Sequence, residues 1–172
     1  MSQDASPQTQ TSFKAFLDLT FAPSLRLVPV VRDFVTGFYG KVFGDQEGLA
    51  RLEVTAHELL ENAVKNSTDG TTRLKIEYDP VRWIVTVRTL NYPTADNLDV
   101  LQQNVHDLQS SSDADTYYQK VLHRSAHQAE GSGLGLARVW AEAGFTIRTE
   151  LEGAGGVWVI AESRVHGREE AS

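Results

Sequence analysis

Three polar side chains in the stretch HELLENAVKNS, residues 57–67, are of the types that nucleotide chemistry uses. At 3.6 residues per turn, Glu58, Asn62 and Lys65 fall on one stripe of a helix. The amide oxygen of Asn62 suits a hard ion such as Mg²⁺, which also takes phosphate oxygens and water. Glu58 can accept a proton from an attacking hydroxyl, and Lys65 can neutralise phosphate charge. The plainer interpretation is a solvated helix face, opposite the apolar face of the same helix.

A glycine-rich segment, EGSGLGLA at residues 130–137, leads directly into a predicted helix. Glycines allow a ligand to approach the backbone closely, and a helix N-terminus offers free N–H groups to an anion. The segment lacks the GK[ST] ending of a Walker loop and does not follow a strand, as a dinucleotide fingerprint does. The segment is therefore either a phosphate-binding loop of another type or a flexible hinge.

The hydrophobic spacing predicts the elements that carry these two motifs. Strands are predicted at 13–21, 72–79, 82–90, 145–153 and 156–163, and helices at 26–43, 46–67, 94–124 (interrupted by a loop at 110–113) and 134–144. Strands paired through hairpins, with the helices collected on one face, predict an α+β fold: a two-layer α/β sandwich with a mixed, largely antiparallel sheet. Residues 13–164 are predicted to form one domain, between polar tails at 1–12 and 165–172.

Composition excludes several classes of function. The formal charge of −7 argues against nucleic-acid binding, which needs a basic face. The absence of cysteine excludes disulfides, thiolate catalysis and Cys-based zinc sites. No apolar stretch is long enough to cross a bilayer, and residues 1–12 are too polar for a signal peptide. We therefore expect a cytoplasmic protein with no membrane partner.

Together the two motifs resemble those of the GHKL ATPase superfamily. Its N-box pattern ExxxNA corresponds to Glu58–Ala63, and its G2-box pattern GxGLGL corresponds to Gly131–Leu136. The resemblance extends over about residues 13–162 and implies the Bergerat ATP-binding fold, with ATP and Mg²⁺ as cofactors. It further implies that Glu58 is the catalytic base, that Asn62 is the Mg²⁺ ligand and that Lys65 contacts phosphate. The glycine lid that it implies over the triphosphate comprises Gly131, Ser132, Gly133, Leu134 and Gly135.

Within that superfamily the chain resembles the short anti-sigma-factor serine/threonine kinases of the RsbW and SpoIIAB type. Glu58 stands where histidine kinases usually have Asn, and no dimerisation helix with a phosphoacceptor His is found upstream. The implied partner is a small regulatory protein, an anti-sigma-antagonist-like substrate, with a sigma factor as a further candidate. A homodimer is expected by analogy alone.

The third expected motif, the G1 box DxGxG, is altered. After the strand predicted at 82–90 the sequence is Asn91-Tyr92-Pro93-Thr94-Ala95, so Asn91 replaces the Asp that recognises the adenine amino group in the family. An amide oxygen still accepts a hydrogen bond from an amine, but the charge-assisted bond is lost. This pattern resembles the SiaB-type kinases, as do the helical insert at 96–122 and the pair Tyr117-Tyr118.

Three hypotheses follow. The first is an ATP- and Mg²⁺-dependent protein serine/threonine kinase that regulates a partner protein by partner switching. The second is a GHKL-fold protein-interaction module that has lost productive nucleotide binding, and the third is an ATPase that needs no partner. The kinase hypothesis requires the Glu58 and Asn62 edge to face the glycine segment across a gap for adenosine phosphates.

Overall fold

The computed structural model of the protein describes residues 15–68, 70–126 and 133–165. Its elements, in chain order, are β1 Ala15–Phe21, α1 Leu27–Tyr39, α2 Gln46–Asn66, β2 Thr72–Asp79, β3 Ile84–Asn91, α3 Ala95–Ser110, α4 Ala114–Ser125, α5 Leu134–Ala141, β4 Thr146–Glu152 and β5 Gly156–Arg164. The predicted order of strands and helices is confirmed. The predicted helical insert consists of α3 and α4, separated by the predicted loop.

The strands form one sheet in the order β1-β2-β3-β5-β4, and every neighbouring pair is antiparallel. The α+β sandwich is thus confirmed, with a sheet that is antiparallel throughout rather than mixed. Because side chains alternate along a strand, one face of the sheet carries the core. This face is formed by residues such as Leu74, Ile76, Val85, Val87, Val159 and Ala161. The opposite face carries charged pairs such as Arg73 with Asp18, whose closest atoms lie 2.6 Å apart.

Helix α2 is the centre of the helical layer, in contact with α1, α5 and β3. Its N-terminus is capped by Asp45, whose side chain accepts a hydrogen bond from the N–H of Glu47 at 3.0 Å. Its sheet-facing side chains recur at helical spacing and are fully or almost fully buried: Leu52, Ala56, Leu59, Leu60 and Ala63. The apolar stripe predicted for this helix therefore packs on the sheet, and the opposite edge is left to face α5.

Helix α1 shows where helical spacing alone is ambiguous. Its buried face comprises Val28, Val35 and Tyr39, and the Tyr39 hydroxyl donates a hydrogen bond to the backbone oxygen of Ile76 at 2.9 Å. Four other apolar residues form an exposed stripe: Leu27, Val30, Phe34 and Phe38. Since α1 is apolar around most of its circumference, the spacing identifies the helix without identifying its buried face.

Arg51 ties α2 to the end of α5 and to β5. Its Nε donates to the backbone oxygen of Ala143 at 2.6 Å, and its Nη2 donates to Ser163 Oγ. Its guanidinium also lies 5.8 Å from the centroid of the Phe145 ring. These contacts join α2 to the segment that follows α5 and to β5. Among the described residues, no helix is long and apolar enough to span a membrane.

We predict that Arg51→Met lowers the free energy of unfolding by about 2 kcal/mol, because the substitution leaves buried acceptors without their charged donor. Urea denaturation followed by circular dichroism measures this loss. Arg82→Met, at an exposed position, is the matched control and should change stability by less than about 0.5 kcal/mol. Equal effects of the two substitutions would contradict the role given to Arg51.

Candidate functional site

The predicted N-box edge of α2 lies directly against the glycine segment at the start of α5. A Cβ atom added to Gly135 would lie 2.6 Å from Glu58 Oε2 and 3.2 Å from Asn62 Nδ2. Real Cβ atoms do not approach other atoms as closely as the first of these distances. Only glycine therefore fits at position 135 in this arrangement. The structure brings Gly135 against Glu58 and Asn62, which precede it by more than 70 residues in the sequence.

Glu58 is buried, with 6% of its surface exposed, so it does not lie on a solvated helix face. Its Oε1 accepts a hydrogen bond from Arg138 Nη1 in an ion pair. Burial raises the pKa of Glu58 above the ordinary carboxyl value, and the positive charge of Arg138 opposes that rise. Sequence reasoning missed Arg138. It follows Gly135 by three residues, and this spacing places it on the same face of α5.

Lys65 lies on the exposed part of α2, 53% of its side chain being accessible. Its Nζ is 2.8 Å from Glu61 Oε1, one turn earlier on the same helix. The structure thus places Lys65 in a surface ion pair rather than against Gly135. Its proposed contact with phosphate stays a prediction.

The other glycine positions are described in part, because Gly131 and Ser132 lie outside the described residues. Gly133 precedes α5 with φ at 75°, in the left-handed region that favours glycine. A Cβ atom there would lie 2.8 Å from Asn104 Cγ on α3. Leu134 is partly buried against the core. The N-terminus of α5 is thus packed between α2 and α3 by two glycines.

Asn91 ends β3 and is 3% exposed, with a side-chain Oδ1 that has no hydrogen-bond partner. The hydroxyl oxygens of Thr89 and Thr72 are also buried and without a partner. Strand register places Thr89 and Asn91 on one face of β3, with Thr72 at the adjoining end of β2. Buried polar atoms are nearly always hydrogen-bonded, so this group is suited to a ligand or water that supplies donors.

The loop after β3 is fixed to the end of α2. Thr68 donates hydrogen bonds to the backbone oxygen of Tyr92 through its N–H at 2.8 Å and through its hydroxyl at 2.7 Å. Asn91 therefore lies beside the C-terminal end of α2, the end that also carries Asn62. The segment that begins at Asn91 and the Asn62 edge of α2 therefore belong to one region of the fold.

The donor set limits which metal ions could bind. The described residues contain no group of three or more His, Cys, Asp and Glu side chains that could hold one. Asn62 offers a neutral oxygen, which fits an ion that takes its remaining ligands from phosphate and water, as Mg²⁺ does.

Within the described residues, Gly135 lies against Glu58, and the Arg138 guanidinium occupies the space beside the Glu58 carboxylate. Open clefts of the described residues lie elsewhere. One lies beneath the β2–β3 hairpin, near Phe16 and Arg82, and another lies between α3 and β4. A ligand that contacts Glu58 Oε1 would have to displace the Arg138 guanidinium.

Comparison with known proteins identifies the fold. No protein-family model matches the chain, and no curated protein matches it. Among solved structures, a chain in the crystal structure of the SiaB–SiaC complex from Pseudomonas aeruginosa is similar, with a TM-score of 0.61. The two sequences are 11% identical, and the match covers 87% of this chain and 89% of the other. At this identity the likeness concerns the fold alone.

We predict that Gly135→Ala lowers the free energy of unfolding by about 1–3 kcal/mol, because the added methyl group must displace Glu58 or α5. Gly37→Ala is the matched control. Gly37 is a helical glycine with nothing within 4 Å of an added Cβ, so alanine there should raise stability by about 0.5–1 kcal/mol. Thermal unfolding of both variants measures the contrast. A stable Gly135→Ala protein would contradict the close approach described here.

Proposed function

We propose that the protein is an ATP- and Mg²⁺-dependent serine/threonine kinase of the GHKL type that phosphorylates a small regulatory partner. The observation that carries the proposal is the packing of Glu58 and Asn62 against Gly135, since these are the residues that the N-box and G2-box patterns single out. The unpartnered oxygens of Asn91, Thr89 and Thr72 support it, because they offer acceptors to a base with amine groups.

The reaction requires little covalent chemistry from the protein. Asn62 would hold Mg²⁺ against the phosphates, and the ion would neutralise charge on the transferred group. Glu58 would accept the proton of the partner's hydroxyl as its oxygen forms a bond to the terminal phosphorus and the bond from that phosphorus to the ADP oxygen breaks. Burial of Glu58 favours this role, because a raised pKa makes a carboxylate a better proton acceptor.

The partner would be a protein of the anti-sigma-antagonist type, or a sigma factor, and phosphorylation would release it. The structural neighbour is itself part of a complex, in which SiaB is bound to SiaC. This supports a regulatory protein as the partner of our chain. Self-association as a homodimer belongs to the same proposal, and the exposed stripe on α1 offers apolar surface for a protein contact.

The second candidate function is a protein-interaction module that binds no nucleotide. Two observations favour it: the ion pair that engages Glu58, and the direct contact of α5 with α2 beside Glu58. Pro93 and the loss of both G1 glycines also stiffen the loop that follows Asn91. A third candidate, an ATPase that acts alone, would turn over ATP with no partner present.

Isothermal titration calorimetry distinguishes the kinase from the module. We expect ATP with Mg²⁺ to bind in the micromolar range, and Asn62→Ala or chelation of Mg²⁺ to weaken binding by about tenfold or more, since an ion ligand is lost. Asn97→Ala, at an exposed helical position, is the matched control and should bind as the unaltered chain does. If the unaltered chain binds no nucleotide, the kinase proposal fails and the module remains.

We predict that Glu58→Gln binds ATP at least as tightly as the unaltered chain but slows phosphoryl transfer by about 100-fold or more, because the amide cannot accept the proton. Transfer of label from γ-labelled ATP to proteins encoded beside this chain measures the effect. The rates for the two proteins must be compared at saturating ATP. Equal rates would remove Glu58 from the chemistry while leaving nucleotide binding intact.

A further inference from the structure

Arg138 lies between two carboxylates. Its Nη1 donates to Glu58 on α2, and its Nε donates to Glu142 Oε2, one turn further along α5, at 3.2 Å. Burial and the nearby carboxylate of Glu142 raise the pKa of the Tyr118 hydroxyl on α4. Glu142 and Arg138 thus lie between the proposed base and the helical insert. Neither the N-box pattern nor the G2-box pattern assigns a role to Arg138.

The two members of the ion pair differ in exposure. Only 8% of the Glu58 side chain is accessible, whereas 38% of the Arg138 side chain is. Glu58 is therefore enclosed by packing, while more than a third of the Arg138 side chain faces solvent. Removing Arg138 leaves a buried carboxylate without its positive partner, which is costly unless another cation takes its place.

The ion pair conflicts with the proposed chemistry as long as it persists. A carboxylate that already accepts a charged hydrogen bond is a poorer acceptor for the proton of a substrate hydroxyl. Phosphate is the other anion that a guanidinium binds strongly, through paired N–H donors. A terminal phosphate in the same space would compete with Glu58 for Arg138.

We propose that Arg138 exchanges between Glu58 and the terminal phosphate of a nucleoside triphosphate, and so distinguishes a triphosphate from a diphosphate. The inference rests on the proposed function, because it needs a nucleotide in the same site. With a triphosphate bound, the guanidinium turns from the carboxylate to the phosphate, and Glu58 is released to act as base. With a diphosphate, Arg138 stays on Glu58 and the base stays engaged.

The insert helix α4 packs against the helix that carries Arg138. Tyr118 lies near Glu142, and the ring of the adjacent Tyr117 packs against Trp140 with centroids 5.7 Å apart. Since α4 reaches the proposed base through Glu142 and Arg138, a partner that displaces α4 would alter the exchange. Arg138 is thus a binding and positioning residue rather than the base itself.

Calorimetric titration of the full chain with ATP and with ADP, both with Mg²⁺, tests the exchange. Arg138→Met should reduce the preference for ATP over ADP by about tenfold or more, with ADP affinity changed less than about threefold. Glu58→Gln should strengthen ATP binding, because the internal competitor is removed. In the Arg138→Met background, Glu58→Gln should have no effect on ATP affinity. Arg82→Met is the control and should leave both affinities unchanged.

Three results would overturn the inference. The first is an Arg138→Met protein that prefers ATP over ADP as strongly as the unaltered chain, or that loses affinity for both nucleotides equally. The ion pair would then be purely structural, while the proposed function stands. If Arg138→Met does not fold, Glu58→Gln decides, since unchanged ATP affinity there excludes competition. Absence of binding of either nucleotide to the unaltered chain would overturn the proposed function together with the inference.

Discussion

The approach of α5 to α2 determines the rest of the site. It depends on the absence of a side chain at Gly135, because even one methyl group would overlap the carboxylate of Glu58. The contact buries Glu58, and a buried carboxylate must be paired with a positive charge or become protonated. Arg138 supplies that charge from the next turn of α5. The packing of α5 on α2, the burial of Glu58 and its pairing with Arg138 therefore all depend on the glycine at position 135.

The contact between α2 and α5 can be interpreted in two ways. A closed α2–α5 interface with a satisfied ion pair is what a stable interaction module would have. The nucleotide site that we propose rests on the same interface, together with the partly exposed Arg138 and the unpartnered oxygens of Asn91, Thr89 and Thr72. The exchange proposed for Arg138 would connect the two interpretations, because it makes release of Glu58 depend on an occupied site. The deciding quantity is the relative affinity of Arg138 for carboxylate and phosphate.

The helical insert, formed by α3 and α4, contacts the helix that carries Gly135. Asn104 on α3 lies against Gly133 and accepts a hydrogen bond from Arg124 on α4 at 3.1 Å. Tyr118 on α4 lies near Glu142, the residue that follows α5. Both ends of α5 therefore lie beside the insert. Under the proposed function, a partner that binds the insert would have a path to α5 that does not pass through α2.

The sequence alone determined the order of elements, the layered α+β architecture and the two motifs, because periodicity, turn residues and short spacings are local properties. It also placed Glu58, Asn62 and Gly135 among the candidates. Only the tertiary structure decided which half of α1 is buried, that Glu58 lies in the interior, and that Arg138 is its partner. The reason is physical. Burial and ion pairing depend on which distant surfaces meet, and helical spacing describes the surface of one helix without naming the surface that covers it.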